Sequence, residues 1–376
     1  MAHRHFPGET IGIIGSSLSS AFLAQAAGAI GYQVGSLVHE SNNPVQQFAS
    51  WQEIHSVFTE AHLVQFAKQV DTVYVELGLL TSQDFTILAE HTDLVLSENL
   101  ITISTDRLIE KAYLDSSKTL VTPFSMVTSL EDINEAVEYL GYPCVLKSSQ
   151  RHLAHANDHL LLFGEEDLIK AEDKVNSGTC ILEAWIPVEK KVSLTVVRND
   201  RGDTLIYPPL ELIDKGMTTG KQVRYPARIN QTLQKELDRI GAQTAKAVNL
   251  VGALTFEFFI TSAGVIYINH ASIGLGEAAI FTKGFFSVSQ FEACVRALAG
   301  LSLPNIEPLN QAGVGIPMQQ AKFDKVMVQF ASRTDWGFVF ANISDPSGTR
   351  LVGQIVVTGD SLESCDRQID MTELYH

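Results

Sequence analysis

The sequence predicts a mixed α/β and α+β chain: a parallel-sheet unit, a unit of capped helices and short strands, a large antiparallel sheet, and a small β-rich end. Three observations predict it. Residues 10–14, 18–30 and 33–38 read as an apolar run, an Ala-rich helical stretch and a second apolar run, a βαβ opening. From about residue 103 the pattern changes to helical stretches at 106–114 and 129–140 with a strand beginning at Cys144. Residues 255–260 and 265–269 are then rich in β-branched and aromatic side chains and flank the turn Thr261-Ser262-Ala263-Gly264, a β-hairpin. These changes divide the chain into units 1–103, 104–183, 184–304 and 305–376.

The first βα turn, Gly15-Ser16-Ser17-Leu18-Ser19-Ser20, keeps one of the three glycines with which a dinucleotide fingerprint brings its backbone up to a pyrophosphate. Its serines serve either to cap the helix or to meet an anion, and capping is the simpler role. Apolar strands at 72–75 and 94–96 extend the parallel sheet. In the second unit Ser129-Leu130-Glu131-Asp132 starts a helix, Gly141-Tyr142-Pro143 ends it, and Cys144-Val145-Leu146-Lys147 begins a strand. Lys147 ends that apolar run, where a lysine either snorkels out of the sheet or reaches a ligand phosphate. His152, His155 and His159 stand at helical-looking offsets, but no cysteine or carboxylate joins them at paired spacing, so the metal motif is weak. Strands at 160–163 and 179–182 enclose a short helix, and Glu183-Ala184-Trp185-Ile186 leads into a long strand at 192–197.

Within the hairpin, Glu257 sits among Phe256, Phe258 and Phe259, where a carboxylate needs a metal, a base or solvent. With a loop of two or four residues Glu257 lies opposite Ile268 and shares a face with His270; an odd-length loop breaks that pairing. Ser289-Gln290-Phe291-Glu292 then has the form of a capping box, and Phe291, Val295 and Leu298 follow at helical spacing, placing a helix behind the hairpin. Alternating apolar runs such as 351–357 make the C-terminal piece β-rich.

A formal charge of -16 and a pI near 5.1 disfavour nucleic acid and anionic membrane as partners while allowing a local basic pocket for a phosphorylated small molecule. The four cysteines, Cys144, Cys180, Cys294 and Cys365, form no C-x-x-C pair and suggest a reducing compartment. With no signal segment and no apolar run of spanning length, a cytoplasmic location is expected.

Motifs in this order resemble the N5-carboxyaminoimidazole ribonucleotide synthase family of the ATP-grasp superfamily. They include Thr10-Ile11-Gly12-Ile13-Ile14-Gly15, Asp106-Arg107 with Lys111, Val145-Leu146-Lys147, Cys180-Ile181-Leu182-Glu183-Ala184-Trp185, Tyr207-Pro208, Pro226-Ala227-Arg228-Ile229 and Val357-Thr358-Gly359-Asp360-Ser361. The resemblance covers nearly the whole chain. It implies an ATP-grasp fold: a Rossmann-like N-terminal domain, a central lid, the ATP-grasp sheet and a small C-terminal piece. It also implies ATP and Mg as cofactors, a nucleotide and a ribonucleotide as ligands, and a homodimer. In such enzymes ATP and bicarbonate give carboxyphosphate, and the carboxyl unit passes to the amine of aminoimidazole ribonucleotide. Carried over by position, Arg107 and Lys147 touch the ATP phosphates, Glu183, Ala184, Trp185 and Ile186 line the adenine hinge, Asn269 is retained, and Glu257 is the first magnesium ligand.

The departures from the family pattern cluster on chemistry. The glycine-rich substrate turn has become residues 16–20, and the lid run 150–157 has lost its glycines and lysine. The acid that holds the ribose aligns with Lys191, and a histidine after Tyr-Pro aligns with Asp214. The run carrying the second metal ligand is Asn269-His270-Ala271-Ser272, so a neutral imidazole stands where a bridging glutamate is expected, with Glu277 the nearest substitute on a loop bearing Gly274 and Gly276. Two readings follow: an ATP-dependent carbon–nitrogen ligase of purine biosynthesis, or a catalytically impaired paralogue that keeps the fold and a weak nucleotide pocket as a binding or regulatory protein.

Overall fold

The computed structural model of the protein describes every residue except 1–3, 77, 95–97, 118, 152–158, 215–219, 320–321, 342–349, 373 and 375–376. The βαβ opening folds into a four-stranded parallel sheet of β1 (Thr10–Ile14), β2 (Gln33–Val38), β3 (Trp51–Ile54) and β4 (Thr72–Val75), ordered β3-β2-β1-β4. The expected strand at 94–96 is not part of it: Asp93 makes a single bridge to Thr72, Leu94 is outside any strand, and 95–96 lie outside the described residues.

The second unit has its own sheet of β5 (Phe124–Val127), β6 (Cys144–Ser148), β7 (Leu160–Leu162) and β8 (Cys180–Ala184), ordered β5-β8-β6-β7. Helices Leu130–Leu140 and Leu168–Asn176 cover it, burying Ile133, Ala136, Ala171 and Val175 against Cys144, Leu146 and Leu182. Ser129 caps the first of these as the sequence predicts, its hydroxyl accepting from the Asp132 amide while the Asp132 carboxylate accepts from the Ser129 amide.

The remaining strands are β9 (Lys190–Arg198), β10 (Thr204–Ile206), β11 (Leu210–Ile213), β12 (Gln222–Tyr225), β13 (Gly252–Ile260), β14 (Ile266–Ile273), β15 (Ala312–Gln319), β16 (Gly337–Phe340) and β17 (Leu351–Gly359). They form one sheet ordered β14-β13-β9-β11-β12-β15-β17-β16, with β10 on β9. The C-terminal strands therefore extend the large sheet through the β12–β15 pairing. The helix Gln290–Leu298 packs on β9 and β13 and against the helix Leu18–Ala29, where Phe22 and Phe291 meet at 5.9 Å in the largest core. Only half of the predicted capping box forms there: Ser289 accepts from the Glu292 amide, while the Glu292 carboxylate turns to Arg296. No helix among the described residues is long and apolar enough to cross a membrane.

Candidate functional site

A cleft of about 970 Å³ opens between the small sheet and the large one. β6 supplies Lys147, the end of β8 supplies residues 183–186, β9 supplies Lys191, and β13 and β14 supply Glu257 and Asn269. Seven of the residues singled out from the sequence thus line one space: Lys147, Glu183, Ala184, Trp185, Ile186, Glu257 and Asn269. Arg107 does not; it donates to the Ser148 carbonyl at 2.6 Å and stands outside the cleft wall. An arginine one residue into a helix capped by Asp106 is drawn to the end of β6, because the Ser148 carbonyl and the Ser149 hydroxyl close that corner.

Lys147 alternates with apolar residues on β6 and points at Glu183, one strand away; Lys147 Nζ is 3.0 Å from Glu183 Oε1. The same carboxylate accepts from the Thr122 hydroxyl at 2.9 Å and lies 3.4 Å from Lys111 Nζ, which itself donates to Thr122 at 2.6 Å. Lys111 and Glu183 are both almost wholly buried. Burial opposes ionisation of Glu183, yet the two ammonium groups and these hydrogen bonds hold its carboxyl down at about 2. Lys111 moves below its ordinary value, chiefly through burial, with Glu183 opposing the shift. The lysine facing the cleft is therefore fixed from behind and keeps two of its three N–H donors for a ligand. At the hinge, the Ala184 and Trp185 amides donate to the Pro123 and Pro143 carbonyls, at 2.9 and 3.2 Å. Among the described residues this leaves the Ile186 amide without a protein acceptor, beside a Trp185 ring that is 54% exposed.

The hairpin register differs from the expected one. Thr261 and Val265 close the turn, so three residues, an odd number, lie between them, and Ile260 pairs with Ile266. A bulge at Glu257/Phe258 then makes up the difference, pairing Glu257 with His270 rather than Ile268 and leaving Asn269 as the extra residue. The bulge has a chemical result: Asn269 Nδ2 donates to Glu257 Oε1 at 2.9 Å. Lys221, which no spacing in the sequence pointed to, donates to Glu257 Oε2 at 2.6 Å. Burial opposes the charge of Glu257, but a protonated His270, Lys221 and these two hydrogen bonds pull its carboxyl down to about 2. Burial also pulls His270 below its ordinary value, so at neutral pH the ring is neutral and Lys221 is the cation that counts.

His270 and Glu277 face a second, smaller cavity of about 400 Å³, which shares Lys221 and Glu257 with the cleft. Burial pushes the Glu277 carboxyl above its ordinary range, which favours a neutral acid. Among the described residues no three His, Cys, Asp or Glu side chains gather as a metal centre, so Glu257, His270 and Glu277 do not make the set that the sequence suggested. Magnesium asks for anionic oxygens. Here it would meet Glu257, already engaged by the Lys221 ammonium, a neutral His270 imidazole, Glu277, whose ionisation burial opposes, and Asp214 elsewhere on the cavity lining; with no three of them gathered as a centre among the described residues, they do not fit it. Of the three histidines named in the lid, His152 and His155 lie outside the described residues, and His159 lines the cleft.

The serine-rich turn at the first helix is closed from inside. The Ser16 and Ser17 amides each donate to Glu76 Oε2 at 3.1 Å, and the Ser20 hydroxyl donates to the same atom at 2.8 Å. Ser17 caps the helix, its hydroxyl accepting from the Ser20 amide at 3.2 Å. Gly15 is required because a Cβ there would stand 2.5 Å from that carboxylate oxygen. An external anion would meet Glu76 where these donors point.

The depressed carboxyls carry a pH prediction. A group whose folded value lies below its unfolded one stabilises the fold above the unfolded value, about 4.3 for a glutamate, and the contribution disappears as pH falls through the folded value. Glu183 and Glu257, both at about 2, therefore predict a progressive loss of stability between pH about 4.5 and about 2. Urea unfolding across that window should show a shallower acid slope in Glu183→Gln than in the parent; identical slopes would contradict it.

The chain is similar to known proteins over almost its whole length. The ATP-grasp domain family matches residues 112–291. The N5-carboxyaminoimidazole ribonucleotide synthase of Staphylococcus aureus (strain COL) is 26% identical over 365 residues, covering 96% of each chain. The Bacillus subtilis (strain 168) protein of the same name is 27% identical over 299 residues, 79% of this chain and 78% of that one. Among solved structures, an N5-carboxyaminoimidazole ribonucleotide synthetase in complex with ADP superposes with a TM-score of 0.91 at 26% identity, covering 100% of this chain and 99% of the other.

Proposed function

We propose that this chain, which belongs to the N5-carboxyaminoimidazole ribonucleotide synthase family of the ATP-grasp superfamily, binds an adenine nucleotide in the cleft and has lost most of the family's magnesium-dependent carboxylation chemistry. The observation that carries the reading is the state of Glu257, a carboxylate neutralised by Lys221 and faced by a neutral His270. Support for nucleotide binding comes from the other end of the cleft, where an unengaged Ile186 amide and an exposed Trp185 ring suit a base and Lys147 suits a phosphate. The ADP held by the solved relative favours the same ligand here. In this arrangement the hinge backbone reads adenine, Lys147 neutralises phosphate charge, and Glu183 keeps Lys147 in place.

A second reading, an active ligase acting on aminoimidazole ribonucleotide with ATP and bicarbonate, is favoured by relatives of that name along nearly the full chain. It requires Glu277 to ionise and turn towards Glu257 so that magnesium has a second carboxylate. Under either reading, the resemblance extends to a homodimer in the cytoplasm.

The test is thermal unfolding with and without ADP. A ligand that binds the folded state alone stabilises it by about 2.7 kcal/mol at a hundredfold excess over Kd, so the melting temperature rises. The expected binding is micromolar or weaker, and Lys147→Ala abolishes most of the rise. No rise at millimolar ADP, or one unchanged by Lys147→Ala, contradicts the proposal.

A further inference from the structure

The cleft is lined by three lysines, and two of them are spoken for: Lys147 by Glu183 at 3.0 Å and Lys221 by Glu257 at 2.6 Å. The third, Lys191, has no carboxylate within salt-bridge distance among the described residues; its ammonium lies 5.8 Å from the centroid of the Phe259 ring. The neighbouring acid on this wall, Glu189, is taken by Lys190 at 2.7 Å. In the sheet, Lys191 pairs with Phe259, while Ser193 pairs with Glu257. Lys191 therefore stands two residues, about 7 Å, from the Glu257 level, on the strand that leads out of the hinge.

On the nucleotide reading, a base at the hinge and 5′-phosphates at Lys147 would leave the ribose to the part of the cleft lining that includes Lys191 and Phe259. An ammonium has donors only, so it has nothing to offer the hydrogens of ribose hydroxyls, whereas it complements a phosphate fully. We infer that Lys191 is a specificity-determining residue that makes the cleft prefer an adenine nucleotide carrying a phosphate on its ribose, at the 2′ or 3′ position, over ADP. This rests on the nucleotide reading above, and it adds the class of ligand. Phe259 provides the apolar platform beneath the ammonium, holding it towards the cleft by a cation–π contact.

Calorimetric titration of the full chain with ADP, 2′-phospho-ADP and 3′-phospho-ADP tests it, on the parent, Lys191→Gln and Lys191→Glu. One of the two ribose-phosphorylated ligands should bind about ten- to a hundredfold tighter than ADP, the range expected for a charge-assisted contact. The two arms identify which hydroxyl bears the phosphate. Lys191→Gln should remove most of the preference, and Lys191→Glu should reverse it, gaining affinity for ADP because a carboxylate accepts from ribose hydroxyls. ADP binding that equals or exceeds both phosphorylated forms overturns the role of Lys191 while leaving the nucleotide reading intact. A preference that persists in Lys191→Glu overturns it equally. If none of the three ligands binds, the nucleotide reading itself fails, and this inference with it.

Discussion

Purified protein supplied with ATP, magnesium, bicarbonate and aminoimidazole ribonucleotide is expected to turn over more than about 10³-fold more slowly than the synthases it is similar to. Phosphoryl transfer on this type of site depends on neutralising charge around the migrating group, and each missing stabilising group removes a few kcal/mol from the transition state. Glu257 is the carboxylate of the cleft's metal end that its neighbours pull towards ionisation, and Lys221 and Asn269 already donate to its two oxygens. His270 brings no charge to the pair at neutral pH, and burial opposes ionisation of Glu277. The assay is ADP release dependent on both bicarbonate and ribonucleotide, on the parent and on His270→Glu. Partial recovery in His270→Glu would place the defect at this one charge. No recovery would spread it to the N-terminal turn, where Glu76 takes the donors of Ser16, Ser17 and Ser20. Robust turnover by the parent would contradict the proposal and point to Glu277 as a ligand.

Glu183→Ala should produce the largest loss of stability, about 3–5 kcal/mol, because it leaves Lys111 buried without the carboxylate it pairs with, Glu110 being the remaining anion that acts on it. Lys111 Nζ would retain only the Thr122 hydroxyl, at 2.6 Å, and the Ile268 carbonyl, at 3.4 Å. Neither offsets the desolvation of an ammonium. Removing both partners in Glu183→Gln/Lys111→Met should cost less than the single alanine change, since it leaves no Lys111 charge buried away from its carboxylate. Urea midpoints decide it: a Glu183→Ala change below about 1 kcal/mol would show that the charges are not coupled.

The β-branched and aromatic runs at Thr255 and Val265 revealed the hairpin, and the shared face of Glu257 and His270 was legible from the period of two. What was not legible was how that face is reached. The loop is odd in length and a bulge at Glu257/Phe258 corrects it, so Asn269 becomes the unpaired residue of β14 and donates to Glu257. A bulge leaves no mark in hydrophobic alternation one residue long. Lys221 was missed for a related reason: it precedes β12 and reaches Glu257 on β13 across 36 positions of sequence, a contact set by sheet order alone. Lys147 and residues 183–186 were identified from motif resemblance, and they do line one cleft. Arg107 was identified the same way and does not; its guanidinium donates to the Ser148 carbonyl, 41 positions away in sequence. The first and second sheets announced themselves by their helices and caps, whereas the union of the C-terminal strands with the large sheet depends on the β12–β15 pairing, which joins Val223 to Gly315.

Under the proposed function, the cleft keeps its nucleotide end while Lys221 closes its metal end. Calorimetric titration of ADP in the presence and absence of magnesium tests it most directly. With Glu257 neutralised by Lys221 and His270 uncharged, the affinity should stay within about threefold between the two conditions, since the carboxylate placed to share the ion is already paired with an ammonium. A gain of about tenfold or more on adding magnesium, lost in Glu257→Gln, would contradict it.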